Sequence, residues 1–203
     1  TKAKAVTPPE GSDAQRTLRV SVATLVRVLF DHPLGGDTML ALERKATVAQ
    51  ASADLQVDVR AQPFGGAVQF RSLIPLQSLI GDVVFDSPRS RSENDFRILI
   101  RPEDWGLVRA FCLDRLRDPD DAALDADPAR ELIEEFADAL AINLGPDQYR
   151  CEPVETVVEE EPTPTRNPRA AGFRTARIYR TFDVRILDPA LARKHPAPEP
   201  GVL

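Results

Sequence analysis

The stretch LRVSVATLVRVLF (residues 18–30) contains four valines and is typical of a β-strand rather than a helix. Branching at Cβ restricts such side chains in a helix but suits the pleated surface of a sheet. The run ends at Asp31-His32-Pro33, and TMLALERKA (residues 38–46) then resumes the alternation of apolar and polar residues. LQVDVRAQ (residues 55–62) alternates in the same way. These patterns predict three strands, the first two joined by a loop.

Helical periodicity enters in the second half of the chain. FRILI (residues 96–100) predicts a short strand, and Pro102 then begins a helix. Apolar residues recur in this helix at a spacing that places them on one buried stripe. The stripe consists of Trp105, Val108, Phe111, Cys112 and Leu116.

A second helix is predicted to begin after Asp127-Pro128, which has the chemistry of an N-cap followed by proline at the first helical position. It should run to about Leu144, where Gly145-Pro146 would stop it. CEPVETVVEEEP and ARIYRTFDVRIL predict later strands, whereas the residues between Ser87 and Asp95 are typical of a polar loop. The fold predicted is α/β, a mixed sheet with helices packed on it.

Composition limits the classes of function. A chain of 203 residues with 42% hydrophobic content can bury one elaborated domain, which we place at residues 17–188, between a flexible N-terminal tail (1–16) and a Pro-rich C-terminal tail (189–203). The net charge of −6 argues against a protein that binds duplex nucleic acid directly. Two cysteines without metal-ligand spacing favour a reduced, cytoplasmic compartment. The first residue is not Met, so the chain is compatible with a longer protein that carries a membrane segment outside residues 1–203.

The segment ARELIEEF (residues 129–136) contains three glutamates that would be neighbours on the surface of a helix, Glu131, Glu134 and Glu135. Carboxylates one turn apart repel each other, and Arg130 is the nearby cation in the sequence. A solvated acidic face is the common explanation for such a pattern. The alternative is a site for Mg²⁺, a hard ion that takes carboxylate oxygens.

The order of three segments resembles the core of the Nudix hydrolases. PFGGAVQF (residues 63–70) is a strand with Gly65-Gly66, RELIEEF follows on a helix, and RIYRTFDV is a later strand with aromatics. The family's box, G-x5-E-x7-R-E-U-x-E-E-x-G-U with U a bulky apolar residue, is matched in its R-E-U-x-E-E part. The matching residues are Arg130, Glu131, Leu132, Ile133, Glu134 and Glu135.

The chain departs from the box at four positions. Leu116 stands in place of the opening glycine, Ala122 in place of the earlier glutamate, and Ala137 and Asp138 in place of the trailing Gly and U. The resemblance implies an insertion at about residues 67–127, in whose last part Asp120 or Asp121 could replace the missing glutamate. With this insertion the order of segments is similar to the SMODS-associated Nudix-type domains, which accompany bacterial nucleotide second-messenger synthases.

The resemblance implies a function and a site. Glu131, Glu134 and Glu135 would hold Mg²⁺ or Mn²⁺, Arg130 would hold a carboxylate in place, and water would attack a phosphorus of a nucleoside diphosphate derivative. Gly65, Gly66 and Arg177 would bind the nucleotide. Glu159, Glu160 and Glu161 are candidates for a further ligand from a later segment.

The same resemblance implies a role in bacterial antiviral nucleotide signalling, with a fused effector or membrane segment as a partner. Two other functions stay open: a catalytically degenerate module that senses a nucleotide for an attached effector, and a purely structural interaction domain. A cluster of arginines near the end of the chain could bind phosphates, although a solvated loop is the commoner explanation for such a cluster. The cluster consists of Arg166, Arg169, Arg174, Arg177 and Arg180.

Overall fold

A computed structural model describes residues 17–31, 35, 38–51, 54–164, 172–188 and 191. The predicted tails therefore lie outside the described residues, except for Leu191. The strands, in chain order, are β1 (Leu18–Asp31), β2 (Thr38–Ala41), β3 (Glu43–Ala51), β4 (Asp54–Gln62), β5 (Phe64–Ala67), β6 (Gln69–Phe70), β7 (Val84–Phe85), β8 (Arg97–Ile100), β9 (Leu124–Asp125), β10 (Tyr149–Pro164) and β11 (Arg174–Ile186). The helices are α1 (Ile74–Ile80), α2 (Pro88–Ser92), α3 (Trp105–Arg115) and α4 (Pro128–Leu140).

Strand β1 forms where the valine-rich run predicts it. Val20, Val22, Val26 and Val28 are at most 1% exposed, because alternate side chains of a strand point to the same face. The first part of β1 pairs antiparallel with β8, and its last part pairs antiparallel with β2. The first predicted strand is confirmed, whereas the second, predicted over residues 38–46, is divided: β2 ends at Ala41, and residues 43–46 belong to β3. Of the loop predicted between the two strands, residues 32–34, 36 and 37 lie outside the described residues.

The main sheet has the strand order β10-β11-β1-β8-β7, and β2 and β5 also pair with β1. It is a mixed sheet, which confirms the α/β class in its coarse form. Strands β3 and β4 form a separate antiparallel pair with a register from Glu43↔Gln62 to Ala51↔Asp54. The predicted strand at residues 55–62 is thus confirmed as β4.

The chain divides into two compact units. Of the described residues, those within 1–24, 66–127 and 155–181 form the first unit, and those within 25–65, 128–154 and 182–203 form the second. Long strands such as β1 contribute residues to both units. The predicted insertion at about 67–127 nearly coincides with one segment of the first unit, although its identity as an insertion in a Nudix core stays a prediction.

Each unit has its own hydrophobic core. In the first unit, Phe70 and Phe96 stack with their ring centroids 4.4 Å apart, and Phe111 and Cys112 of α3 are buried beside them. Burial of an aromatic side chain of this size contributes about 2–3 kcal/mol. The stripe predicted on α3 is therefore part of this core, with Trp105 partly buried against it.

The core of the second unit is smaller. It is formed by Val26, Val28, Phe64, Leu132, Phe136, Leu144, Val184 and Leu191. Six different segments supply these residues, so their apolar faces meet only after the chain has folded. This core fixes the position of α4 relative to β5.

One predicted helix boundary and one predicted loop are wrong. Helix α4 ends at Leu140 rather than near Leu144, because Ala141 adopts a left-handed conformation with φ of 53° and Ile142 donates its N–H to the carbonyl of Phe136. The polar loop between Ser87 and Asp95 contains α2 instead. The Ser87 hydroxyl accepts the N–H of Ser90, and Pro88 occupies the first helical position, which together make an N-terminal cap.

Among the described residues, no helix is both long and apolar enough to cross a membrane.

Candidate functional site

Helix α4 begins at Pro128, as predicted, and packing fixes its rotation. Leu132 and Phe136 have no exposed surface, and the Phe136 ring lies 5.4 Å from the ring of Phe64 between centroids. Ile133, which a helical wheel places on the apolar arc, is 37% exposed instead. Along this helix Glu131 is buried, Glu135 is half-buried and Glu134 is exposed, and the helix cannot rotate without exposing its phenylalanine.

Arg130 lies against two of the three predicted glutamates. Its Nη1 is 2.7 Å from Oε1 of Glu131 and 3.8 Å from Oε2 of Glu134. The Glu131 side chain is only 11% exposed, whereas that of Glu134 is 60% exposed. The repulsion between neighbouring carboxylates is thus partly relieved by the protein itself, and the crowding of charge does not by itself require a metal.

Glu135 contacts the Gly-Gly strand. Its Oε2 accepts the backbone N–H of Gly65 at 2.9 Å, across 70 residues of sequence. Gly65 has a φ of 149°, a conformation that residues with a Cβ rarely adopt. The two motifs that carry the resemblance to Nudix hydrolases, PFGGAVQF and RELIEEF, therefore meet at Gly65 and Glu135 within the second unit.

The donor chemistry of α4 suits a hard cation, since Mg²⁺ prefers carboxylate oxygens. In the described parts of the chain, however, no three His, Cys, Asp or Glu side chains are placed to hold one metal ion. Glu131 is turned toward Arg130, and Glu135 toward Gly65. The residues fit the cation in their chemistry, and three ligands would require Glu131 and Glu135 to turn toward Glu134.

Gly66 and Arg177 belong to the first unit, whereas Gly65 and the three glutamates belong to the second. Arg177 lies on β11 rather than in a loop, and its Nη1 donates to Oε2 of Glu159 at 2.8 Å and to Oγ1 of Thr163 at 2.8 Å. A role for Gly66 or Arg177 in nucleotide binding stays a prediction.

Three of the acidic residues proposed as further ligands, Glu159, Glu160 and Asp121, have protein partners in the first unit. Glu159 accepts from Arg177, and Glu160 accepts from Arg109 Nη2 at 2.7 Å. Oδ1 of Asp121 accepts the N–H groups of Ala123 and Leu124, and its Oδ2 pairs with Arg115.

Asp121 is ionised more readily than an ordinary aspartate. Burial alone would raise its pKa, but the two backbone N–H groups and the guanidinium of Arg115 together lower the pKa below the usual value. Asp121 thus stabilises the turn that precedes β9, which is a structural role.

Sequence reasoning missed two arginines of the first unit, Arg19 and Arg97. The pKa of Arg19 is lowered by burial in the first place, and then by the nearby charges of Arg97 and Arg177, although Asp86 raises it. The sequence contained a pattern that could have found them. Arg19, Arg97 and Arg177 each stand between two apolar residues within a strand, in the segments LRV, FRI and ARI.

The first unit also carries a shallow groove with a volume of about 340 Å³. Its lining includes Ile80, Val84, Leu99, Ile100 and Arg101. None of the predicted site residues lines it.

No protein-family model, no curated protein and no solved structure matches this chain. Its function must therefore be inferred from the residues and contacts described above.

Proposed function

We propose that this chain is a divergent Nudix-type pyrophosphohydrolase that requires Mg²⁺ or Mn²⁺ and cleaves a nucleoside diphosphate derivative. The observation that supports this proposal is the hydrogen bond between Gly65 N–H and Glu135. It joins the glycine strand to the acidic helix, two segments that are distant in sequence and that the resemblance requires to be adjacent. A role in bacterial antiviral nucleotide signalling, in the cytoplasm or at a membrane through a segment outside residues 1–203, belongs to the same proposal.

The residues of α4 have separate parts in the proposed reaction. Glu131, Glu134 and Glu135 would hold the cation, which when bound neutralises diphosphate charge and lowers the pKa of water. Arg130 would hold Glu131 in place, since the two are already in contact at 2.7 Å. A further carboxylate that is not a ligand of the cation would accept the proton of the attacking water.

A second function is favoured by a specific observation. Ala122 stands where the box has a glutamate, and no three carboxylates converge in the described residues. Both features suit a module that binds a nucleotide without cutting it and transmits this binding to an attached effector. The contact between Gly65 and Glu135 would then keep the pocket in shape rather than serve catalysis.

One experiment separates the two functions. The protein is incubated with Mg²⁺ or Mn²⁺ and a panel of nucleoside diphosphate derivatives and cyclic oligonucleotides, beside Glu134→Gln and Glu135→Gln variants. Glu152→Gln is the matched control, because Glu152 is an exposed glutamate of the second unit outside α4. If the chain is a hydrolase, the variants at 134 and 135 lose about 100-fold or more in turnover and the control keeps its activity.

Other outcomes decide against the hydrolase. Nucleotide binding without turnover would establish the sensor instead. Equal turnover in all three variants would show that the acidic helix has no catalytic part, and the absence of both binding and metal-dependent stabilisation would contradict both functions.

A further inference from the structure

Three arginines of the first unit lie on one face of the main sheet. In the antiparallel pair of β1 and β8, Arg19 is opposite Leu99 and Ser21 is opposite Arg97. Directly opposed residues, and residues two apart in one strand, share a face. Arg19 and Arg97 are therefore diagonal neighbours on one face, and Ser21 lies on the same face.

Arg177 lies on the other side of β1, near enough for its charge to act on Arg19. Strand β11 is the neighbour of β1 opposite β8. Arg177 lies between Ala176 and Ile178, which are fully buried in the core of the first unit, so its own side chain points to the opposite face. Arg19 has the same relation to Leu18 and Val20, which belong to that core.

Each guanidinium is paired with one carboxylate, and Nη1 of Arg177 also donates to Oγ1 of Thr163 at 2.8 Å and to the carbonyl of Thr175 at 3.5 Å. These bonds use only part of the hydrogen-bonding capacity of the three side chains. The anchoring pairs are Arg19 Nε with Asp86 Oδ2 at 2.7 Å, Arg97 Nη1 with Asp95 Oδ2 at 2.6 Å, and Arg177 Nη1 with Glu159 Oε2 at 2.8 Å. Asp86 is itself held by the Ser90 hydroxyl at 2.6 Å. An arginine has five N–H donors, so several donors of each residue remain for a ligand.

Arg19 differs from an arginine in a surface ion-pair network because it is buried and most of its donors are unused. Its side chain is only 6% exposed. Among the described residues, its Nε is hydrogen-bonded to Asp86 and its two Nη groups make no hydrogen bond. Neither Nη atom is fully enclosed, so both retain some contact with solvent. A charged group that is almost completely buried but has most of its donors unused is costly unless an acceptor reaches it.

We propose that Arg19, Arg97 and Arg177 form a binding site for a phosphate group, either as inorganic phosphate or as the phosphate of a nucleotide. The guanidinium fork suits paired hydrogen bonds to phosphate oxygens, and such charge-assisted bonds are the strong ones. Ser21 offers a hydroxyl on the same face. The carboxylates of Asp86, Asp95 and Glu159 orient the three forks.

This site shares Arg177 with the nucleotide-binding residues that the Nudix resemblance implies, but it includes no glutamate of α4. All of its members lie in the first unit. A binding experiment without metal ions therefore tests the phosphate site alone.

The test is a calorimetric titration of the full chain in a chelator, with chloride used to keep the ionic strength constant. Inorganic phosphate, a nucleoside 5′-monophosphate and the uncharged nucleoside are compared. The variants are Arg97→Gln and Arg177→Gln, whose side chains are partly exposed and can be replaced with less risk to folding than Arg19. Arg101→Gln is the matched control, because Arg101 is also paired with a nearby aspartate in the first unit but lies outside the group.

We expect saturable binding of the phosphate compounds and none of the nucleoside. Each variant in the group should lose about tenfold in affinity, the effect of one charge-assisted hydrogen bond, while Arg101→Gln binds like the parent. Binding of the monophosphate but not of inorganic phosphate would assign the site to a nucleotide. Binding of neither, or an equal loss in the Arg101→Gln control, would overturn the proposal.

Discussion

Arg19 is a buried cation near the start of the valine-rich strand β1. Its ion pair with Asp86 is enclosed on both sides, with each side chain 6% exposed. Removing one partner of such a pair leaves the other charge buried and unpaired, which costs about 3–5 kcal/mol. Exposed ion pairs contribute about 0–1 kcal/mol, because water screens them.

Replacement of Arg19 by Met should therefore lower the free energy of unfolding by about 3–5 kcal/mol, measured by urea denaturation. The double variant Arg19→Met, Asp86→Leu should recover much of this loss, since no buried charge then remains. Arg27→Met is the control, because its partner Asp183 is bound in an exposed pair, with side chains 51% and 31% exposed. A similar loss for Arg19→Met and Arg27→Met would contradict the enclosed pair.

At the scale of elements, two glycines have different reasons to be present. Gly106 lies in α3, and Gly81 is the C-cap of α1 with a φ of 80°. A Cβ added at either position would meet no atom within 4 Å, so space does not distinguish them. Backbone conformation does, because residues with a Cβ disfavour positive φ and favour the helix relative to glycine.

Gly106→Ala should stabilise the protein by about 0.5–1 kcal/mol, because alanine loses less entropy in a helix. Gly81→Ala should destabilise it by about 1 kcal/mol, because its conformation resists a Cβ. Both values are measured by denaturation at equilibrium. A change of the same sign in the two variants would show that the helix boundary at Gly81 differs from the one described.

At the scale of the whole molecule, the negative net charge determines which phosphate ligands the protein can bind. The net charge of −6 repels the dense phosphate array of a duplex, whereas the group of Arg19, Arg97 and Arg177 offers a local site for one phosphate.

A fluorescently labelled DNA duplex should accordingly show no saturable change in anisotropy at about 0.15 M salt. The same preparation should still bind small phosphate compounds in calorimetry. Duplex binding that weakens steeply as salt is added would contradict this prediction, since such a dependence is the mark of many released counterions.

Short sequence patterns predicted the elements whose formation depends mainly on neighbouring residues. Strand β1 follows from four valines at alternate positions, and the start of α4 follows from Asp127-Pro128. The end of α4 could not be predicted in this way. The sequence offers Gly145 as the natural stop, but the helix ends at Leu140, because Ala141 adopts a left-handed conformation. Leu144 then joins the core of the second unit.

In the candidate site, too, sequence spacing determined some features and tertiary packing determined others. The sequence by itself determined that three glutamates share one stretch of helix and that a Gly-Gly strand precedes it, because both are matters of spacing. Only the tertiary structure decided that Glu135 reaches Gly65, that Arg130 lies against Glu131, and that Arg19, Arg97 and Arg177 share one sheet face. These contacts join residues through strand register and helix rotation, which depend on how distant apolar faces pack and which no local pattern encodes.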